Sequence, residues 1–171
     1  VREPSSQDHV WWSKGNKAFD PSKFEILKNR ILEYFGQKEL YIQDCFGGAD
    51  PQYRFPVRVI TDTAWESLFA YNMFIHAENI APKDFSPEFT VLVASDFEAD
   101  PQVDGTRSDV VVAINLGQKL ALIAGTRYAG EVKKTVFTVL NYLFPLQGII
   151  PMHCAANIGP SGDSALFFGL S

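Results

Sequence analysis

Four places in the sequence hold groups suited to chemistry. Lys133 and Lys134 fall in the first turn or so of a helix expected to begin near Gly130. The positive end of a helix dipole disfavours a cation there, so two readings stand side by side. Either both ammonium groups reach solvent, or one is pushed toward its neutral amine by the dipole, by burial or by a metal ion, and then serves as a ligand. Tyr128-Ala129-Gly130 is a tight, glycine-bearing lead-in suited to close approach by a small substrate. His153 by itself reads as a core histidine bonded to backbone. Its neighbour Cys154 suggests zinc, yet adjacent strand residues point to opposite faces and do not easily share one ion. Finally, Ala165-Leu166-Phe167-Phe168 reads as a buried strand delivering Gly169-Leu170-Ser171. That is how a phosphate-binding loop of the pattern G-x-x-x-x-G-K-[ST] begins, although three such residues by themselves are a weak signal and read first as an ordinary turn.

The elements that must position these groups follow from the pattern of apolar residues. Asp20-Pro21 is a helix start, and Phe24, Leu27, Ile31, Tyr34 and Phe35 recur at helical spacing up to Gly36. Leu40 to Phe46 and Val57 to Thr61 read as strands. Thr63-Ala64-Trp65-Glu66 has the form of a capping box, opening a helix whose expected buried stripe is Trp65, Leu68, Phe69 and Met73. Residues 77 to 87 read as loop. Phe89 to Ala94, Val110 to Ile114 and Leu120 to Ala124 are continuous apolar runs, suited to strands covered on both faces. Ser95 to Ser108, with Asp96, Glu98, Asp100, Pro101 and Asp104, reads as an exposed loop. A helix over Gly130 to Phe144 is expected to bury Val132, Val136, Val139, Leu140 and Leu143 before Pro145 stops it. Two further strands, Ile149 to Ala156 and Ser164 to Phe168, flank a Gly- and Pro-rich turn. The alternation of elements predicts an α/β fold with a mixed sheet and flanking helices. Residues 1 to 20 read as a surface arm anchored by Trp11-Trp12.

Composition narrows the class further. With 171 residues, 46% hydrophobic and 20% charged, the chain is ordinary globular protein. A net charge of -5 offers no basic face for a nucleic acid. No apolar run reaches the roughly 18 residues of a membrane helix. Cys45 and Cys154 neither staple a scaffold nor make a zinc site, and both read as reduced, buried thiols of a cytoplasmic protein. The start, Val1-Arg2-Glu3-Pro4, is neither a signal peptide nor an initiator methionine, and reads as a chain cut at the front.

Taken together, the motifs resemble one family in order and spacing. Gly125-Thr126-Arg127-Tyr128-Ala129-Gly130-Glu131-Val132-Lys133-Lys134 is similar to the substrate and metal segment of ATP-dependent phosphoenolpyruvate carboxykinases. Asn141 to Gly148, Pro151-Met152-His153-Cys154-Ala155-Ala156-Asn157 and Gly162 to Ser171 follow as that family would have them. Trp11-Trp12, Asp44 to Ala49, Val57 to Trp65 and Asn72 to Ile75 also fit. The resemblance implies conversion of oxaloacetate and ATP to phosphoenolpyruvate, ADP and carbon dioxide, a gluconeogenic step. It implies Mn2+ at the site and Mg2+ with ATP. Tyr128 would contact the carboxylic substrate, as would Lys134. Lys134 and His153 would bind the manganese and approach the γ-phosphate, and Gly169, Leu170 and Ser171 would open the loop around the nucleotide phosphates.

The same resemblance implies an organisation. Residues 1–147 correspond to most of a substrate-side α/β domain, and 148–171 to the start of a nucleotide-binding domain truncated in its phosphate loop. The family's substrate arginine is expected before Val1, and the loop lysine and a metal-binding aspartate after Ser171, so the isolated chain is expected to be inactive. Two other readings stay open: a short non-catalytic α/β binding domain, and a different phosphate-loop kinase.

Overall fold

The first helix forms because its ends and one face are both satisfied. The Asp20 side chain accepts from the backbone N–H groups of Ser22 and Lys23, and Pro21 occupies the first turn. Helix α1 (Pro21–Phe35) then buries Phe24, Leu27, Ile31 and Phe35 on one stripe, each such side chain contributing about 1.5–3 kcal/mol of transfer free energy. The computed structural model describes residues 1–78, 80–81 and 83–169. They divide into two compact units, Val1–Val139 and Leu140–Ser171.

The first unit is built on a six-stranded mixed sheet. Strands β1 (Tyr41–Gly47), β2 (Phe55–Thr61), β3 (Ile75–His76), β4 (Phe89–Ala94), β5 (Val111–Asn115) and β6 (Leu120–Ala124) lie in the order β3-β1-β2-β4-β6-β5. The three central strands β2, β4 and β6 run parallel, while β1, β3 and β5 pair antiparallel at the flanks. On one face α1 packs on Leu92, Ala94, Ala113, Leu122 and Ala124. On the other, α2 (Ala64–Met73) lies against β1 and β2, with Gln43 donating to Ser67 Oγ at 2.9 Å. The short helix α3 (Pro101–Asp104) follows β4, and α4 (Gly130–Leu143) follows β6.

Several sequence expectations are corrected here. Helix α2 turns Trp65, Leu68 and Met73 to solvent and buries Glu66, Ser67 and Ala70 instead. Its apolar residues do recur at helical spacing, but the sheet beneath presents Gln43, which pairs with Ser67. The capping box does not close, since Thr63 makes no side-chain cap bond. The stretch after β4 is not all exposed loop: Asp104 is fully buried and paired with Arg30 of α1. Strand β5 is covered on one face only, because it lies at the sheet edge. In the N-terminal arm the anchors are Glu3 and Ser6, both buried, while Trp11 is 81% exposed.

The second unit comprises the end of α4, a 3-10 turn at Pro145–Gln147, and an antiparallel hairpin of β7 (Ala155–Ile158) and β8 (Ser164–Phe167). Pro145 does stop the helix, and Gly148 at φ 75° takes the left-handed turn that follows. His153 precedes β7 rather than lying on a strand, so the argument from alternating strand faces does not apply to it. The run Ala165 to Phe168 is exposed rather than buried. Burial cannot be read from apolar content when a two-stranded hairpin has no second layer within its own unit.

Candidate functional site

The carboxyl ends of the three parallel strands converge on one edge of the sheet, the place where open α/β sheets carry their ligand crevices. β2 delivers Asp62 and Thr63, β4 delivers Ser95 and Asp96, and β6 delivers the loop from Gly125 to Ala129. Asp62 ties the first two together, accepting from Ser95 N at 2.9 Å and from the Tyr34 hydroxyl at 2.7 Å. Burial, then the bond to Asp62, raises the Tyr34 hydroxyl above its ordinary range. Arg127 ties β4 to β6 with a two-pronged ion pair, both nitrogens 2.8 Å from Asp96. That fork holds the Asp96 carboxyl below the usual carboxylate range.

The loop from Gly125 is shaped by glycine at both ends. Gly125 has φ 74° and its N–H donates to Ala94 O at 3.2 Å. At Gly130 an added Cβ would lie 2.7 Å from Tyr128 Cζ, so the tyrosine ring folds back onto the start of α4 where only hydrogen leaves room. The Lys134 ammonium stands 4.8 Å from the centre of the same ring and 3.7 Å from Glu131 Oε1. Tyr128, 60% exposed, and Lys134 therefore form one accessible patch of π-face and cation. The Lys134 side chain is 59% exposed. Lys133 is exposed beside it.

The structure thus brings Tyr128 and Lys134 together. His153 and Gly169 belong to the second unit, where both are exposed. Leu170 and Ser171 lie outside the described residues. Of the two thiols, Cys45 is buried and pushed up to about 12 by that burial, then by Asp44, whereas Cys154 is half-buried. Of the two residues expected to hold Mn2+, Lys134 lies in the first unit and His153 in the second. Among the described residues no group of three or more His, Cys, Asp or Glu is able to hold a metal ion.

Sequence reasoning passed over Asp62, Asp96, Arg127 and Glu66 as a group. Their common signal was position, one or a few residues past the carboxyl end of a parallel strand. Glu66 is 1% exposed, and neither of its carboxyl oxygens has a hydrogen-bond partner among the described residues. The Ser95 hydroxyl faces it without closing a bond of ordinary geometry. Desolvation raises the Glu66 carboxyl above its ordinary range, Asp62 raises it further, and Arg127 opposes. Between the unfolded carboxyl range and that raised value, the folded state keeps a proton that the unfolded chain has lost. Stability is full below the unfolded value and falls as pH rises through the window, by about 1.4 kcal/mol per pH unit for one proton. Glu66→Gln is expected to remove that slope, which urea titrations of both chains across pH 4–8 measure. Parallel slopes in the two chains would mean that Glu66 is ionised in the fold.

The class defined by these features is an α/β domain whose polar and cationic side chains gather at the carboxyl ends of parallel strands. The family model described as phosphoenolpyruvate carboxykinase, of the ATP type, matches residues 1–171. Phosphoenolpyruvate carboxykinase (ATP) of Pelobacter propionicus is 51% identical over 172 residues, covering 100% of this chain and 32% of that protein. The proteins of the same name from Thermus thermophilus and Alkaliphilus oremlandii are 49% and 50% identical over the whole chain, which spans 33% and 32% of their lengths. The chain belongs to the ATP-dependent phosphoenolpyruvate carboxykinase family, and spans about a third of the length of the curated relatives it matches.

Proposed function

We propose that this chain is part of an enzyme that converts oxaloacetate and ATP to phosphoenolpyruvate, ADP and carbon dioxide, acting in gluconeogenesis in the cytoplasm. The observation that carries the reading is the Tyr128–Lys134 patch over Gly130, at the carboxyl end of a parallel strand, within a family match that covers every residue. Tyr128 holds the carboxylic substrate by its ring edge and hydroxyl. Lys134 would contact the carboxylic substrate, and Lys134 and His153 are the residues that would hold the manganese and approach the γ-phosphate. When bound, the metal ions neutralise charge on the enolate and on the phosphoryl group.

Gly169, Leu170 and Ser171 open the loop whose N–H groups receive the nucleotide phosphates, with Mg2+ accompanying ATP. In this reading residues 1–147 serve the substrate side and 148–171 begin the nucleotide side. The acidic balance, net charge -5, offers no basic face for nucleic acid, while a local cation such as Lys134 still suits a small anionic substrate. Among the described residues no helix is long and apolar enough to cross a membrane.

The 171 residues contain no Gly-Lys-Ser or Gly-Lys-Thr sequence, so a polypeptide limited to them is expected to form no phosphoenolpyruvate. The natural gene, expressed in full, is expected to form it from oxaloacetate only with ATP and a divalent metal. A coupled assay of phosphoenolpyruvate in both preparations tests the reading. Product from the 171-residue chain, or none from the full protein, overturns it.

A further inference from the structure

The ion pair between Asp96 and Arg127 joins two loops that leave adjacent parallel strands, β4 and β6, paired at Ala94 and Ala124. Arg127 immediately precedes Tyr128, and the forked geometry, with both contacts at 2.8 Å, fixes the plane of its guanidinium. The Tyr128 N–H is tied to Thr126 Oγ1 at 3.1 Å, so the backbone on both sides of Arg127 is short and constrained. The Tyr128 ring rests on the bare backbone of Gly130 and beside Lys134.

The geometry points to Asp96 and Arg127 as a positioning pair that sets the Tyr128 ring against Lys134 and thereby sets recognition of the carboxylic substrate. Both charged groups are largely exposed, 71% for the arginine side chain and 44% for the aspartate. A pair that open adds little to stability. What it does constrain is orientation: two nitrogens on two oxygens allow one approach, and a shift of the loop carries the ring with it. The substrate half of this inference rests on the carboxykinase reading, while the positioning half does not.

The experiment has two arms. In the 171-residue chain with ring-labelled tyrosine, the Tyr128 signals are assigned with Tyr128→Phe and followed in Asp96→Asn and in the exchanged pair Asp96→Arg with Arg127→Asp. Asp96→Asn is expected to move the Tyr128 signals, and the exchanged pair to return them toward the original positions, with little change in melting temperature. In the full-length protein Asp96→Asn is expected to raise KM for oxaloacetate by roughly 3–10-fold and KM for ATP by less than about twofold, with recovery in the exchanged pair. Unmoved Tyr128 signals overturn the positioning role whatever the kinetics. Moved signals with equal changes in both KM values, or none, overturn the link to substrate. Moved signals in a protein that turns over no oxaloacetate leave the positioning pair standing and reject the carboxykinase reading instead.

Discussion

Lys134→Met in the full-length protein is expected to lower kcat/KM for phosphoenolpyruvate formation by about 10²–10³-fold, the usual scale for losing one aimed donor at a reacting centre. The structural role of the residue predicts something far smaller. Its contact with Glu131 is an exposed pair three residues apart on one helix, worth about 0.2–0.5 kcal/mol. Its ring contact with Tyr128 at 4.8 Å adds about 0.5–1 kcal/mol at an exposed site. Stability is therefore expected to change by no more than about 1.5 kcal/mol, a few degrees in Tm for a chain of this size. Lys133→Met, one residue away and also exposed, is the control and is expected to change kcat/KM by less than about threefold. Equal losses in the two variants would reduce Lys134 to one member of a general positive field, and no loss in either would remove it from the site.

Gly125→Ala is expected to destabilise the first unit by about 2–5 kcal/mol, read as a shift of the urea midpoint. Gly125 sits at φ 74°, where an L-residue costs about 1–2 kcal/mol. An added Cβ would also lie 2.3 Å from the carbonyl oxygen of Asp109. That oxygen belongs to backbone and accepts the Ala99 N–H at 3.0 Å, so it does not swing aside as a side chain would. Relieving the overlap means moving the lead-in to β5, at roughly a further 1–3 kcal/mol. The same movement would carry the Arg127–Tyr128 loop with it, so catalytic loss is expected to accompany the loss of stability. A midpoint unchanged within error would show that the loop relaxes without involving β5.

Helix α1, the mixed character of the sheet and the strand–helix alternation were legible from spacing and capping alone. Phe24, Leu27, Ile31 and Phe35 sit on one stripe behind an Asp-Pro start, and short-range geometry decides such a helix before any partner is known. Tyr128 and Lys134 were legible as a motif, because glycine next to an aromatic and a helix start restrict the backbone locally. The face of α2 was not legible. Its most hydrophobic residues are outside and Glu66 is inside, since burial depends on what the facing strand presents. The hairpin at 155–167 misled for a related reason: an apolar strand is buried only where a second layer exists to cover it.

The sequence by itself determined the family, through motifs whose residues are constrained by their immediate neighbours. Only the tertiary structure decided that Asp62, Asp96 and Arg127 share one edge with Tyr128. Thirty-odd residues of chain separate each of the two aspartates from the partner it meets, Ser95 for Asp62 and Arg127 for Asp96. Contacts at that separation are set by strand order and parallel register, neither of which has a local signature in the side chains that benefit. Chemistry carried by adjacent residues is written in the chain; chemistry assembled across strands exists only once the sheet has formed.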